Sequence, residues 1–169
     1  TFQLIEGKAP HHDGLFQNGV IDTPFVTLSI DDGLTLYDKT TNEAYEDFLR
    51  FEDRGDIGNE YIYFQPKGTE PIYAELTAYE VLENNARYAK ILLKHDLTIP
   101  VSADEQLDAE QRGIIEFMNR QASRSEELTT IPLETEMTIF VDDPQIRFKT
   151  RFINTAKDHR IRLLVKTHN

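Results

Sequence analysis

Apolar side chains recur at every second position in several short runs, the spacing of a strand that keeps one face dry and the other wet. Val26, Leu28 and Ile30 alternate with Thr27 and Ser29, Asp31-Asp32-Gly33 supplies turn residues, and Leu34 and Leu36 resume the alternation. That pattern predicts a hairpin. Ile72, Ala74 and Leu76 alternate in the same way, and Asn84-Asn85 separates Tyr79–Glu83 from the apolar-rich Tyr88–Leu93. These segments read as further strands. Ile146, Phe148, Thr150 and Phe152 alternate with Arg147, Lys149 and Arg151, which predicts a strand carrying three cations on its wet face. A last strand is expected over Ile161–Val165.

One stretch has a helical period. Leu107, Ile114, Ile115 and Met118 fall on one helical face behind Ser102-Ala103-Asp104-Glu105, which has the spacing of a capping box. About four turns of helix are expected there, with Gly113 as the weak point. Several short strands and one helical insert predict a mainly β fold, an antiparallel two-sheet β-sandwich rather than a βαβ arrangement. The expected organisation is an extended, polar, glycine-bearing lead-in over residues 1–22, then a single β-sandwich domain over 23–169.

Composition narrows the function. The 169 residues can bury one good core. No apolar run approaches the ~20 residues of a membrane helix, so no membrane partner is expected. Lys plus Arg total 18 against 30 Asp plus Glu, a net charge of −12 that repels phosphate backbones and excludes nucleic acid as a natural partner. The chain has no cysteine, no Asn-x-Ser/Thr acceptor and no secretory apolar region at its start, which together predict a cytoplasmic setting. Its opening at Thr1 rather than Met is in keeping with a piece of a longer chain.

The densest unusual segment runs from Phe51 to Pro66. Two glycines, clustered acids and three aromatics read as a loop followed by a strand, with Tyr61 and Tyr63 on one face and Phe64 on the other. Clustered oxygens suit calcium, but the spacing departs from that of an EF-hand. Asp53 and Asp56 could stand at the ~5–5.5 Å of a retaining glycosidase pair, yet the loop brings no sugar-holding pocket, and no catalytic role is expected of them. His11-His12-Asp13 places three potential ligands side by side, but adjacent residues rarely converge on one ion without a distant partner. A polar loop without metal is expected there.

Three blocks carry a family resemblance: Leu34-Thr35-Leu36-Tyr37-Asp38-Lys39, then Asp53-Arg54-Gly55-Asp56-Ile57-Gly58-Asn59-Glu60-Tyr61, then Asn154-Thr155-Ala156-Lys157-Asp158-His159-Arg160-Ile161-Arg162. In this order they resemble the post-catalytic region of the glycoside hydrolase family 38 α-mannosidases. The resemblance implies a non-catalytic portion of a galactose-mutarotase-like supersandwich, packed on the catalytic domain of the same polypeptide. It implies zinc chemistry with a nucleophilic Asp and a second carboxylate in the parent enzyme. The blocks that would carry those residues are not recognisable here, so the chain is expected to have no catalytic residue and no cofactor of its own. The resemblance further implies that a tyrosine after the glycine loop touches a bound mannoside. By block position that is Tyr61, with Asp53, Asp56, Gly58 and Glu60 supporting its loop. Asp158-His159-Arg160 also suits a turn into the last strand. The alternatives are a free-standing carbohydrate-binding module, which should present an aromatic platform, and an interaction sandwich; an excised enzyme domain should instead expose an apolar patch.

Overall fold

In the computed structural model, residues 14–31 and 33–165 are described. The predicted hairpin sits within an antiparallel sheet of five strands in chain order: β1 (Phe16–Gln17), β2 (Val20–Asp22), β3 (Val26–Ser29), β4 (Thr35–Asp38) and β5 (Glu43–Tyr45). Leu28 stands opposite Leu36, and Val26, Leu28, Ile30, Leu34 and Leu36 are all buried, as the alternation requires. Of the expected lead-in, residues 16–22 supply β1 and β2, while His11-His12-Asp13 lies outside the described residues.

The chain continues through β6 (Arg50–Gly55), β7 (Ile72–Tyr73), β8 (Glu75–Asn84), β9 (Tyr88–Pro100), helix α1 (Glu105–Arg112), β10 (Leu128–Phe140), β11 (Ile146–Arg151) and β12 (His159–Leu164). Two more antiparallel sheets result, one ordered β11-β10-β9-β8 and one ordered β12-β6-β7. The dry face of the four-stranded sheet carries Ile91, Leu93, Leu97, Ile131, Leu133 and Met137. It packs against Ile21 and Leu28 of the first sheet and against Phe48, Leu49 and Phe51 around the third. One layer of the sandwich is therefore a continuous sheet, and the facing layer is assembled from two. The outward face of the four-stranded sheet is polar, with Lys90 paired to Glu83, Lys94 to Glu80 and Arg151 to Glu136. Among the described residues no helix is long and apolar enough to cross a membrane.

Three expectations change. The strand expected through Ile72, Ala74 and Leu76 divides: β7 pairs with β6, the Ala74 N–H donates to the Phe51 carbonyl, and from Glu75 the chain joins β9 in another sheet. The four-turn helix is an eight-residue one that stops before Gly113. Ile114 takes φ 56°, which breaks the helical path, so Ile114, Ile115 and Met118 do not share a buried face and stand exposed. Its N-cap is Asp104, whose side chain accepts from the Gln106 N–H at 3.1 Å. In β11 the parity is as expected, with Ile146, Phe148 and Thr150 half-buried and Arg147, Lys149 and Arg151 exposed, but the strand ends there and leaves Phe152 exposed.

Candidate functional site

The segment 51–66 folds in the reverse order to that expected. Residues 50–55 form β6, and 56–66 contain no strand. The reason is pairing on both sides: Asp53 stands opposite Ile161 of β12 and Ile72 of β7, so β6 is the central strand of its sheet. Long-range partners outweighed the local glycine and acid content.

Asp53 is consequently a core residue rather than a loop support. It is fully buried, accepts from Arg124 Nη1 at 2.5 Å and lies 2.5 Å from Nδ1 of His159. His159 in turn places Nε2 3.0 Å from Asn154 Oδ1. The neighbouring Glu52 is also buried, between Arg54 Nε at 2.8 Å and Arg162 Nε at 3.0 Å. Burial pushes the Glu52 carboxyl up, but hydrogen bonds from Arg54 and Arg162 outweigh it and hold it below the usual carboxylate range. Both acids are buried with fixed partners. Asp53 and Asp56 each have hydrogen-bond partners of their own, Arg124 and His159 for Asp53 and the Gly58 and Phe64 amides for Asp56.

Beyond Gly55 the chain turns back on itself. The Ile57 N–H donates to the Phe64 carbonyl at 2.8 Å, and the Asn59 N–H to the Ile62 carbonyl at 3.0 Å. Two side chains engage four more amides of the turn. Asp56 Oδ1 accepts from Gly58 N at 3.0 Å and Phe64 N at 3.1 Å; Asn59 Oδ1 accepts from Tyr61 N and Ile62 N, both at 2.9 Å. Gly58 is required by close approach, because a Cβ there would lie 1.8 Å from the Ile62 carbonyl oxygen. Asp56 thus bonds two amides of the turn, Gly58 leaves room for the Ile62 carbonyl, and Glu60 is exposed at the tip.

Tyr61 projects from that tip and is 87% exposed. The sequence pattern had placed it beside Tyr63 on a strand face; without a strand the two part company. Tyr63 is half-buried, with the Arg160 guanidinium 3.4 Å above its ring and its hydroxyl donating to Gln65 at 3.2 Å. Phe64 packs inward against Ile57, Ala103, Leu107 and Ala122. No aromatic platform results. Between loop and insert runs an open groove of about 430 Å³, lined by Gly58, Asn59 and Glu60 on one side and Ile115, Phe117 and Arg120 on the other.

Three residues at this site gave no signal in the sequence. Arg124, Phe117 and Arg120 reach Asp53, Phe64 and the loop carbonyls across sequence separations of more than fifty residues. No local spacing reports such contacts. Among the described residues no three His, Asp or Glu side chains converge. Chemically, the loop offers a phenol that can donate to and accept from hydroxyls, beside a groove of mixed polar and apolar lining.

Comparison with known proteins places this geometry. No family model matches the chain. A crystal structure of a glycosyl hydrolase family 38 protein from Enterococcus faecalis is 35% identical, with a TM-score of 0.86 over 94% of this chain. An α-mannosidase from Enterococcus faecalis V583 superposes equally well over 95% of it, again at 35% identity. The chain is related to family 38 glycoside hydrolases. A Halalkalibacterium halodurans protein that carries the provisional name mannosylglycerate hydrolase is 36% identical over 135 residues, 77% of this chain. The chain spans only 15% of that protein and 19–20% of the two solved chains, so it corresponds to one segment of much longer family 38 relatives.

Proposed function

We propose that this chain is the non-catalytic β-sandwich domain of a larger α-mannosidase, packed on that enzyme's catalytic domain and lending Tyr61 to the mannoside it binds. The observation that carries the reading is Tyr61 itself. A tyrosine 87% exposed gains nothing from the core, yet its own N–H and those of Gly58 and Ile62 are hydrogen-bonded in a turn that admits only glycine at 58. Such preorganisation suits a contact made outside the domain. That the chain spans only 19–20% of its solved relatives supports a contact made with another part of a longer polypeptide. Apolar side chains exposed near it, Ile62 in the same turn and Ile114 and Ile115 lining the groove, suit a surface that another domain covers. A free-standing carbohydrate-binding module is less well supported, because Tyr63 and Phe64 are withdrawn from the surface that Tyr61 occupies.

The test is Tyr61→Phe in the full-length polypeptide. It keeps the ring and removes one uncharged hydrogen bond, worth about 0.5–1.5 kcal/mol and towards ~3 if a sugar hydroxyl is left unpaired. The kcat/KM for an aryl α-mannoside should fall roughly 10- to 100-fold while the melting temperature holds. Early melting with normal turnover would refute the assignment.

A further inference from the structure

The insert between β9 and β10 has a small core of its own, separate from the sandwich core. Ile57 of the loop is enclosed by Ala103, Leu107 and Ala122 of the insert, with Phe64 against them and the Phe117 ring edge-on to Phe64 at 5.8 Å. One charged side chain crosses the same junction. Arg120 Nη1 donates to the Ile57 carbonyl and, at 2.9 Å, to the Gly58 carbonyl, two consecutive oxygens at the base of the turn that carries Tyr61. Its Nε donates within the insert to the Ile115 carbonyl at 3.4 Å.

The segment bearing Arg120 is itself anchored. The Glu110 carboxylate accepts from Gln121 N at 2.7 Å, from Ala122 N at 3.3 Å and from Gln106 Nε2 at 2.9 Å, which fastens the chain after Arg120 to α1. Asp56 and Asn59 engage four amides of the turn, and the consecutive carbonyls of Ile57 and Gly58 take their donor from another element. A guanidinium satisfies both at once, and charge-assisted bonds of this kind are the stronger ones. Tyr61 makes so little contact of its own that its position is set by the backbone beneath it.

Resting on the reading of Tyr61 as a sugar contact, we propose that Arg120 is the positioning residue for that contact, a tether from the insert that fixes residues 57–62 and presents Tyr61 at the rim of the groove. The insert is then a support built for one loop rather than an incidental excursion between two strands.

Native-state amide exchange on the chain tests the tether without reference to activity. Arg120→Ala should speed exchange at Gly58, Tyr61 and Ile62 about tenfold and leave β9 and β10 unchanged. Arg120→Lys should fall between, since an ammonium is a point donor rather than a fork. Should β9 and β10 lose protection in Arg120→Ala, Arg120→Gln, which keeps an amide donor, carries the same comparison. Unchanged exchange at the three loop amides overturns the tether. In the full-length polypeptide, Arg120→Ala should raise KM for an aryl α-mannoside about tenfold with kcat within about twofold, and Arg120→Lys should recover part of the loss. An unaltered KM where Tyr61→Phe does lower kcat/KM overturns the positioning role. If Tyr61→Phe has no kinetic effect, the sugar-contact reading falls, and the exchange comparison alone decides the tether.

Discussion

His95 lies 4% exposed on β9, edge-on to the Phe51 ring at 5.2 Å, and its Nδ1 has no hydrogen-bond partner among the described residues. Burial lowers its pKa to about 4. Unfolded, the imidazole titrates near ~6.5, so between these values the unfolded chain binds the extra proton and stability rises with pH. Its contribution is fully present above about pH 6.5 and is lost as pH falls towards 4, roughly 3 kcal/mol across the window. Denaturant unfolding of wild type and His95→Gln should therefore diverge in pH slope between 6.5 and 4.5, the variant being flatter. Parallel slopes would mean that His95 is protonated in the folded protein. The same scale holds the buried acids: Asp53 and Glu52 tolerate burial because Arg124, His159, Arg54 and Arg162 surround them. Composition reveals that acids are abundant, but only the fold decides that Glu52, Asp53 and Glu110 are buried.

At the scale of elements, β11 separates packing from charge. Phe148 faces inward with its ring 5.8 Å from that of Phe48, whereas Lys149 points to solvent. Phe148→Ala should cost about 2–3 kcal/mol, below the range for a fully buried phenylalanine because this one is half-buried. Lys149→Ala should change stability by under ~0.5 kcal/mol in the same denaturation series. Equal costs would mean a register shifted by one residue. The strands whose two faces differ were legible from alternation alone, as in Val26–Leu36 and Ile146–Arg151. Two elements were not. In α1 the apolar spacing continued past Gly113 although the backbone did not, because Ile114 takes a left-handed conformation that a hydropathy period cannot register. In β6, the acids and glycine of Glu52–Gly55 look like loop composition, and only strands on both sides, supplied by residues 72–73 and 159–164, make them a strand.

At the scale of the molecule, the retaining chemistry of a mannosidase needs a carboxylate pair held around a sugar, whereas Asp53 is buried against Arg124 and Asp56 accepts from two amides of its own turn. The chain by itself should release no product from an aryl α-mannoside and should carry no stoichiometric zinc by metal analysis after exchange into metal-free buffer. Turnover that survives purification to homogeneity would contradict the non-catalytic reading. What the sequence alone determined is the class of fold and the kinship: period-two alternation specifies strands wherever one face is wet, and the three blocks from Leu34 to Arg162 carry the family 38 likeness that solved relatives bear out at 35% identity. The tertiary structure alone decided which acids are buried, where α1 stops, and how the Tyr61 loop is held. The α1 stop is a local backbone matter at Ile114, but the burial of Asp53 and the tie between the Tyr61 loop and the insert depend on contacts more than fifty positions apart, Arg124 with Asp53 and Arg120 with Gly58, whose free energy exists only once the chain has closed around them.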